Sequence, residues 1–240
     1  MHETCLLIAH PGHELRLFGW MEICRPLVCI LTDGSGNTGE GRTAFSRDLI
    51  ESAGAVAGPV IGAYSDRDWY AAILAGDSGP FLEVVSAIAG SVAAGCLIVS
   101  DPVEGYNPMH DLCSAVADRL AARVGGTRAS YALMAPLTAG AIRTLAPDAA
   151  CRKRMAVDAY TPLSLEGAAL LRRHPDALFQ EQVCVGSYGW PEIPDAPPDY
   201  EAIGRTRMEA GLYHRPITYA AHVRPMAVRL RQPMLAQAAD

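Results

Sequence analysis

Two histidines, His10 and His13, stand three residues apart in Ala9-His10-Pro11-Gly12-His13-Glu14, and a third, His110, closes Tyr106-Asn107-Pro108-Met109-His110. Imidazoles at that spacing across a Pro-Gly turn can point at one centre, which suits a divalent metal that takes nitrogen ligands. Three protein ligands with the fourth position open is the arrangement in which zinc activates water. The chemistry therefore depends on whether the elements before and after these histidines bring the two segments together.

The run Cys5-Leu6-Leu7-Ile8-Ala9 reads as a buried strand over roughly 4 to 10, and the breaker pair Pro11-Gly12 places His10 and His13 at its carboxyl end. A helix of about Glu14 to Cys24 follows, then a second strand, Leu27-Val28-Cys29-Ile30-Leu31, and the Gly-rich loop Thr32-Asp33-Gly34-Ser35-Gly36. That loop lacks the Lys-Ser/Thr of a P-loop and the full dinucleotide spacing. The pattern continues with a helix from Thr43 to about Gly58, a strand from Pro59 to Tyr64 and a helix from about Gly79 to Ala93. A fourth strand, Cys96 to Ser100, ends at Asp101, and a polar loop leads from it into a helix of about Met109 to Val124, which carries His110. Further along come a strand at about Ser130 to Met134 and a helix around Arg152 to Ala159.

Alternation at this spacing predicts an α/β fold, Rossmann-like, with an open, mainly parallel sheet and helices on both faces. Ligands bind such sheets at the carboxyl ends of the strands, where all three histidines fall. The chain is expected to form one domain, with an irregular extension from about 185 that includes the Pro-rich Pro191 to Pro198.

With 240 residues, half of them hydrophobic and 19% charged, the chain can bury a sizeable core. Its net charge of −6 argues against nucleic acid as a partner, and Arg152-Lys153-Arg154 and Arg172-Arg173 read as solvated helix faces. His174, His214 and His222 lack any convergence and are expected at the surface or in loops. Seven cysteines without a CxxC pair fit buried thiols in a reducing compartment. No stretch approaches the ~18 to 20 apolar residues of a membrane span, so the expectation is a soluble cytoplasmic protein; its oligomeric state is not legible.

Taken together, Ala9-His10-Pro11, Thr32-Asp33-Gly34 and Glu104-Gly105-Tyr106-Asn107-Pro108-Met109-His110-Asp111 resemble the motifs of the PIG-L/LmbE-like N-deacetylases, in order over roughly the first 125 residues. Arg152 through Tyr160 resembles a later Lys/Ala/Tyr helix of that family. The resemblance implies a Rossmann-like fold, a Zn2+ ion, and hydrolysis of an N-acetyl group on an amino-sugar-containing glycoconjugate or a related small metabolite. Family members usually carry Ala-His-Pro-Asp-Asp-Glu, whose His and second Asp bind zinc and whose first Asp is the base. By position His10 is kept, His13 replaces the ligand Asp, and Gly12 stands where the base should be. In the second motif, usually His-Pro-Asp-His, His110 keeps the ligand and Asn107 replaces the catalytic histidine.

Amide hydrolysis needs a polarised carbonyl, a proton acceptor for water, a donor to the oxyanion and an acid for the leaving amine. Three neutral imidazoles leave the charge of the metal uncompensated, which lowers the pKa of its water toward about 7 and reduces the need for a strong base. Asn107 through its amide and Tyr106 through its hydroxyl can donate to an oxyanion. Glu14 and Asp111 adjoin the ligands, either as bases or as acceptors that fix an imidazole tautomer. Asp33, Arg47 and Asp66 fall where the family has residues facing the substrate; read locally they are a turn Asp, a surface Arg and a helix-capping Asp. Two other readings stay open: a degenerate member that serves as a metal-binding or scaffold protein, and iron-dependent oxygen chemistry on three histidines.

Overall fold

Alternation along the first strand decides which way its side chains face. In β1 (His2–Ile8) and just beyond, Cys5, Leu7 and Ala9 enter one apolar cluster while Leu6 and Ile8 enter another, and all five are fully buried. β2 (Leu27–Thr32) divides likewise, with Leu27, Cys29 and Leu31 on the first side and Val28 and Ile30 on the second. Successive strand residues point to opposite faces, so a strand apolar at every position must be covered on both.

The computed structural model describes residues 1–36, 39–186, 196–212 and 214–232. Beyond β1 and β2 the sheet contains β3 (Val56–Tyr64), β4 (Val92–Ser100), β5 (Thr127–Tyr131), β6 (Ala141–Thr144) and β7 (Gln180–Val185), in the order β3-β2-β1-β4-β5-β7-β6. The pairings from β3 through to β5 are parallel, and β7 joins antiparallel between β5 and β6. The protein is thus an α/β fold with a mixed, mostly parallel seven-stranded sheet and helices around it. One face is packed by residues of α3 (Asp66–Ala75), α4 (Gly79–Ala89), α5 (Pro108–Val124) and α9 (Arg224–Arg231), and the other by α1 (Phe18–Cys24), α2 (Thr43–Ser52) and Tyr160, which follows α6 (Pro147–Ala159). Among the described residues no helix is long and apolar enough to cross a membrane. All seven cysteines are free thiols.

Several expectations shift, each for a local reason. The first helix is split, because Gly12 at φ +106° sends the chain into a 3-10 turn over His13–Leu17 before α1 begins. The second stops at Ser52, where Gly54 at φ +67° turns the chain into β3. Residues 65–68 start a helix, α3, through a capping box in which the Ser65 hydroxyl accepts from Asp68 N and the Asp68 carboxylate takes Ser65 N.

Lys153 is no solvated residue. It is 1% exposed, and its Nζ lies 3.0 Å from Glu181 Oε1 on β7 and 3.0 Å from the carbonyl of Arg16. Burial lowers its pKa to about 8, against the pull of Glu181. The same carboxylate accepts Gly19 N at 2.8 Å and Trp20 N at 2.7 Å, which caps the amino end of α1 from across the sheet.

The region after 185 is also more regular than expected. It forms α8 (Asp199–Glu209) and α9, whose Met226, Ala227 and Leu230 are buried in the core cluster that α5 also enters. Of the Pro-rich stretch, residues 191–195 lie outside the described residues. His222, expected at the surface, is only 8% exposed.

Candidate functional site

β1 and β4 are neighbours, and from them the chain runs outward on one side through β2 and β3 and on the other through β5. A crevice opens at the carboxyl ends of two such strands. On the β1 side, Gly12 takes the left-handed conformation that lets the turn close with His13 N on the carbonyl of His10 (3.3 Å). This folds the two side chains toward each other, with ring centroids 5.4 Å apart. On the β4 side, Asn107 caps α5, its Oδ1 accepting Met109 N at 2.8 Å, and Pro108 occupies the first turn. His110 follows within that turn, its ring 5.3 Å from that of His10 and 4.6 Å from that of His13.

Each ring is held at Nδ1. His10 Nδ1 lies 2.9 Å from Thr32 Oγ1 and 3.1 Å from Asp66 Oδ1. His13 Nδ1 meets Asp101 Oδ2 at 2.9 Å, and His110 Nδ1 meets Glu104 Oε1 at 3.0 Å. Asp101 accepts at both oxygens, so the proton of the His13 ring sits on Nδ1 and the lone pair of its Nε2 is left for a ligand. His10 Nε2 is buried and has no hydrogen-bond partner among the described residues. Burial lowers the pKa of His13 in spite of Asp101, and burial followed by the other two histidines takes His110 well below its usual value. Neutral imidazole is the form that binds metal.

The ligand atoms of His13, Asp101 and His110 lie within 4.8 Å of one another. Asp101, fully buried, already uses both oxygens: Oδ1 takes the hydroxyl of Tyr131, and Oδ2 takes Ala9 N (2.9 Å) and His13. It therefore fits better as the group that fixes His13 than as a ligand itself. The ligand atoms of His10 fall outside that set, although its ring centroid lies 5.4 Å from that of His13 and 5.3 Å from that of His110.

The structure distributes the other sequence candidates unevenly. Tyr106 is 38% exposed with its ring 6.0 Å from that of His110, and Asn107 spends its amide oxygen on the helix cap, which leaves its N–H donors. Glu14 and Asp111 are buried beside the rings, yet neither fixes an imidazole. Glu14 Oε2 accepts Gly12 N at 2.7 Å; Asp111 Oδ1 accepts the backbone N–H groups of Glu104 (3.0 Å) and Gly105 (3.1 Å). Both carboxyls shape the loops that carry the histidines. Burial raises the pKa of each to about 7, and that of Glu104 to about 8.

Asp33 is a turn residue, its Oδ1 accepting Ser35 N at 2.9 Å. Asp66 holds His10 and accepts Gly36 N at 2.6 Å instead of facing open space. Arg47 is exposed on α2 and makes no hydrogen bond among the described residues. Two guanidinium groups approach the site: Arg42 Nη2 lies 3.5 Å from the carbonyl of Pro11 and its charge acts on His13 and Glu14, while that of Arg16 acts on Glu104.

Sequence reading missed Thr32, Arg42, Asp101 and Glu104. Asp101 and Glu104 did carry a signal, as carboxylates directly after the apolar strand that faces the first histidines. Gly12 also has a neighbour the sequence does not reveal, since a Cβ there would collide with Leu163 Cδ1.

No protein-family profile and no curated protein matches the chain. Among solved structures it is similar to the zinc-inhibited form of teicoplanin deacetylase Orf2, at 11% identity and a TM-score of 0.48 over 76% of this chain and 98% of that one. A complex of a deacetylase from the biosynthesis pathway of teicoplanin gives 13% identity and a TM-score of 0.47 over the same shares.

Proposed function

We propose that the chain is a zinc-dependent hydrolase that removes an N-acyl group, acetyl above all, from a small molecule or glycoconjugate that contains an amino sugar. The observation that carries this reading is the trio of imidazoles, each tied through Nδ1 to a carboxylate or hydroxyl, with His10 Nε2 buried and unpartnered. Such donors fit a zinc ion, which His10, His13 and His110 would hold. Bound there, zinc supplies Lewis-acid polarisation and a readily ionised water.

The residues of the chain do the remaining work. Asp101 and Glu104 hold the rings of His13 and His110 at Nδ1, and Thr32 with Asp66 holds that of His10. Tyr106 and the N–H donors of Asn107 receive the developing charge on the carbonyl oxygen. Glu14 and Asp111 keep the two histidine-bearing loops in shape. Arg42 offers a positive charge to an anionic or polar part of the substrate. Seven free thiols suit work in the reducing cytoplasm.

The test is acetate release from N-acetylglucosamine and its conjugates by protein loaded with zinc, beside the His10→Ala and His110→Ala variants. One equivalent of zinc with release that both variants abolish is the expected result. A zinc-loaded protein that releases no acetate from the panel overturns the hydrolase.

A second reading, a metal-binding protein without catalysis, is favoured by one observation: Leu163 packs against Gly12, where the resemblance would put the base. It predicts tight zinc binding with no turnover. Iron in place of zinc in protein isolated without chelators would point to oxygen chemistry instead.

A further inference from the structure

A cavity of about 210 Å3 lies between the carboxyl end of α3 and the segment that enters α9. Gly76, Arg215, His222, Met226 and Arg229 are in its wall, and none of the residues around the three rings is. The polypeptide at 219–223 forms a π-helical turn, a distortion that recurs at functional sites, and His222 lies in it.

The hydrogen bonds of His222 fix its tautomer. Nδ1 lies 3.0 Å from Thr218 N and 3.2 Å from Thr218 Oγ1. A backbone N–H can only donate, so Nδ1 is the acceptor and the neutral ring carries its proton on Nε2. That Nε2 is buried and has no partner among the described residues. A buried donor left unpaired is costly and calls for an acceptor. Burial and the charge of Arg215 both hold the ring in its neutral form.

The other donors around it are cationic. Arg215 is exposed and makes no hydrogen bond among the described residues; Arg229 gives one N–H to the carbonyl of Gly76 and keeps the rest. The carboxylate that acts on His222 is Glu201, which is engaged elsewhere, by Tyr219 N at 2.8 Å and by Arg205 Nη1 at 3.7 Å. The polar side chains of the wall are therefore donors, two of them cationic, set among the apolar Ile73, Leu74, Ala221 and Pro225. Three donor-bearing side chains suit a group with three or more acceptor oxygens, which a phosphate has and a carboxylate does not.

We infer that this cavity binds a phosphoryl group, free or as a small monoester, through His222 Nε2–H and the guanidinium groups of Arg215 and Arg229. The site is independent of the proposed hydrolase, and its test does not involve turnover. The full-length protein is titrated at constant ionic strength with inorganic phosphate and, separately, with glycerol 1-phosphate, while long-range 15N–1H spectra follow the His222 ring. The expected starting spectrum is that of the Nε2–H tautomer, and its Nε2 resonance shifts saturably. Saturation by both ligands identifies the phosphoryl group alone as recognised, and saturation by the ester alone identifies a monoester. Arg215→Ala, a surface change that leaves the fold intact, weakens binding about tenfold or more. A His222 ring protonated on Nδ1, or a resonance that neither ligand moves, overturns the inference. So does a titration that Arg215→Ala leaves unchanged.

Discussion

Asp111 and Glu104 form a closed circuit around His110: Asp111 Oδ1 accepts the backbone N–H of Glu104 at 3.0 Å, and the Glu104 carboxylate takes Nδ1 of His110 at 3.0 Å. Asp111 thus sets the loop whose side chain sets the ring. Glu104→Ala, which removes the ring's anchor, should lower zinc affinity about 10- to 100-fold. Asp111→Ala should produce a loss of the same order without touching the ring, and Asp111→Asn, which keeps an acceptor oxygen, a smaller one. Competition with a chromophoric chelator measures all three.

Asp101 serves three groups at once, Ala9 N, His13 Nδ1 and the Tyr131 hydroxyl. Asp101→Ala leaves all three buried without a partner and should cost on the order of 3 kcal/mol or more of stability. Tyr131→Phe removes only one of them and should cost about 1 kcal/mol. Urea denaturation of the two variants distinguishes a shared anchor from a sum of independent bonds.

Restoring an aspartate at position 12 should not create a better enzyme. The backbone there has φ +106°, and any Cβ meets Leu163. Gly12→Ala and Gly12→Asp should each destabilise by about 1 to 3 kcal/mol, and Leu163→Ala should recover only part of that, because the backbone strain remains. Thermal unfolding of the single and double variants gives the comparison.

The buried pair of Lys153 and Glu181 gives a different expectation. Lys153→Met leaves the Glu181 carboxylate buried with only the two backbone N–H groups of α1 as partners and should cost about 3 to 5 kcal/mol. Changing both residues, with Glu181→Gln beside Lys153→Met, should recover part of the loss. A denaturant series on the two variants measures the coupling.

Tyr106→Phe and Asn107→Ala test the donors proposed for the oxyanion. Each should lower kcat by about 10- to 1,000-fold with a smaller effect on KM. Asn107→Ala should also lose about 1 kcal/mol of stability, since Asn107 caps α5 as well. Steady-state acetate release beside thermal melts separates the two effects.

The parts legible from sequence are those written in short stretches. Unbroken apolar runs such as Cys5 to Ile8 and Leu27 to Leu31 revealed the parallel strands, and the breakers after them revealed where the histidines lie. Contacts between distant segments were not legible. Lys153 looked like one charge in a basic triplet, and only the arrival of Glu181 on an antiparallel strand explains its burial. Asp66 looked like a substrate residue because nothing local shows that it reaches His10. The helices after residue 196 were hidden by the prolines that precede them, although Met226, Ala227 and Leu230 have helical spacing.

The cap on α1 has a consequence for the order of assembly. Gly19 and Trp20 wait for a carboxylate that lies 162 and 161 positions further along. During synthesis, the helix that follows the first two histidines therefore lacks its partner until Glu181 leaves the ribosome, and long-range closure of this kind slows folding. A nascent chain arrested at residue 170 would have all three histidine rings but no anchored α1, so any ligand those rings attract would meet a half-built scaffold.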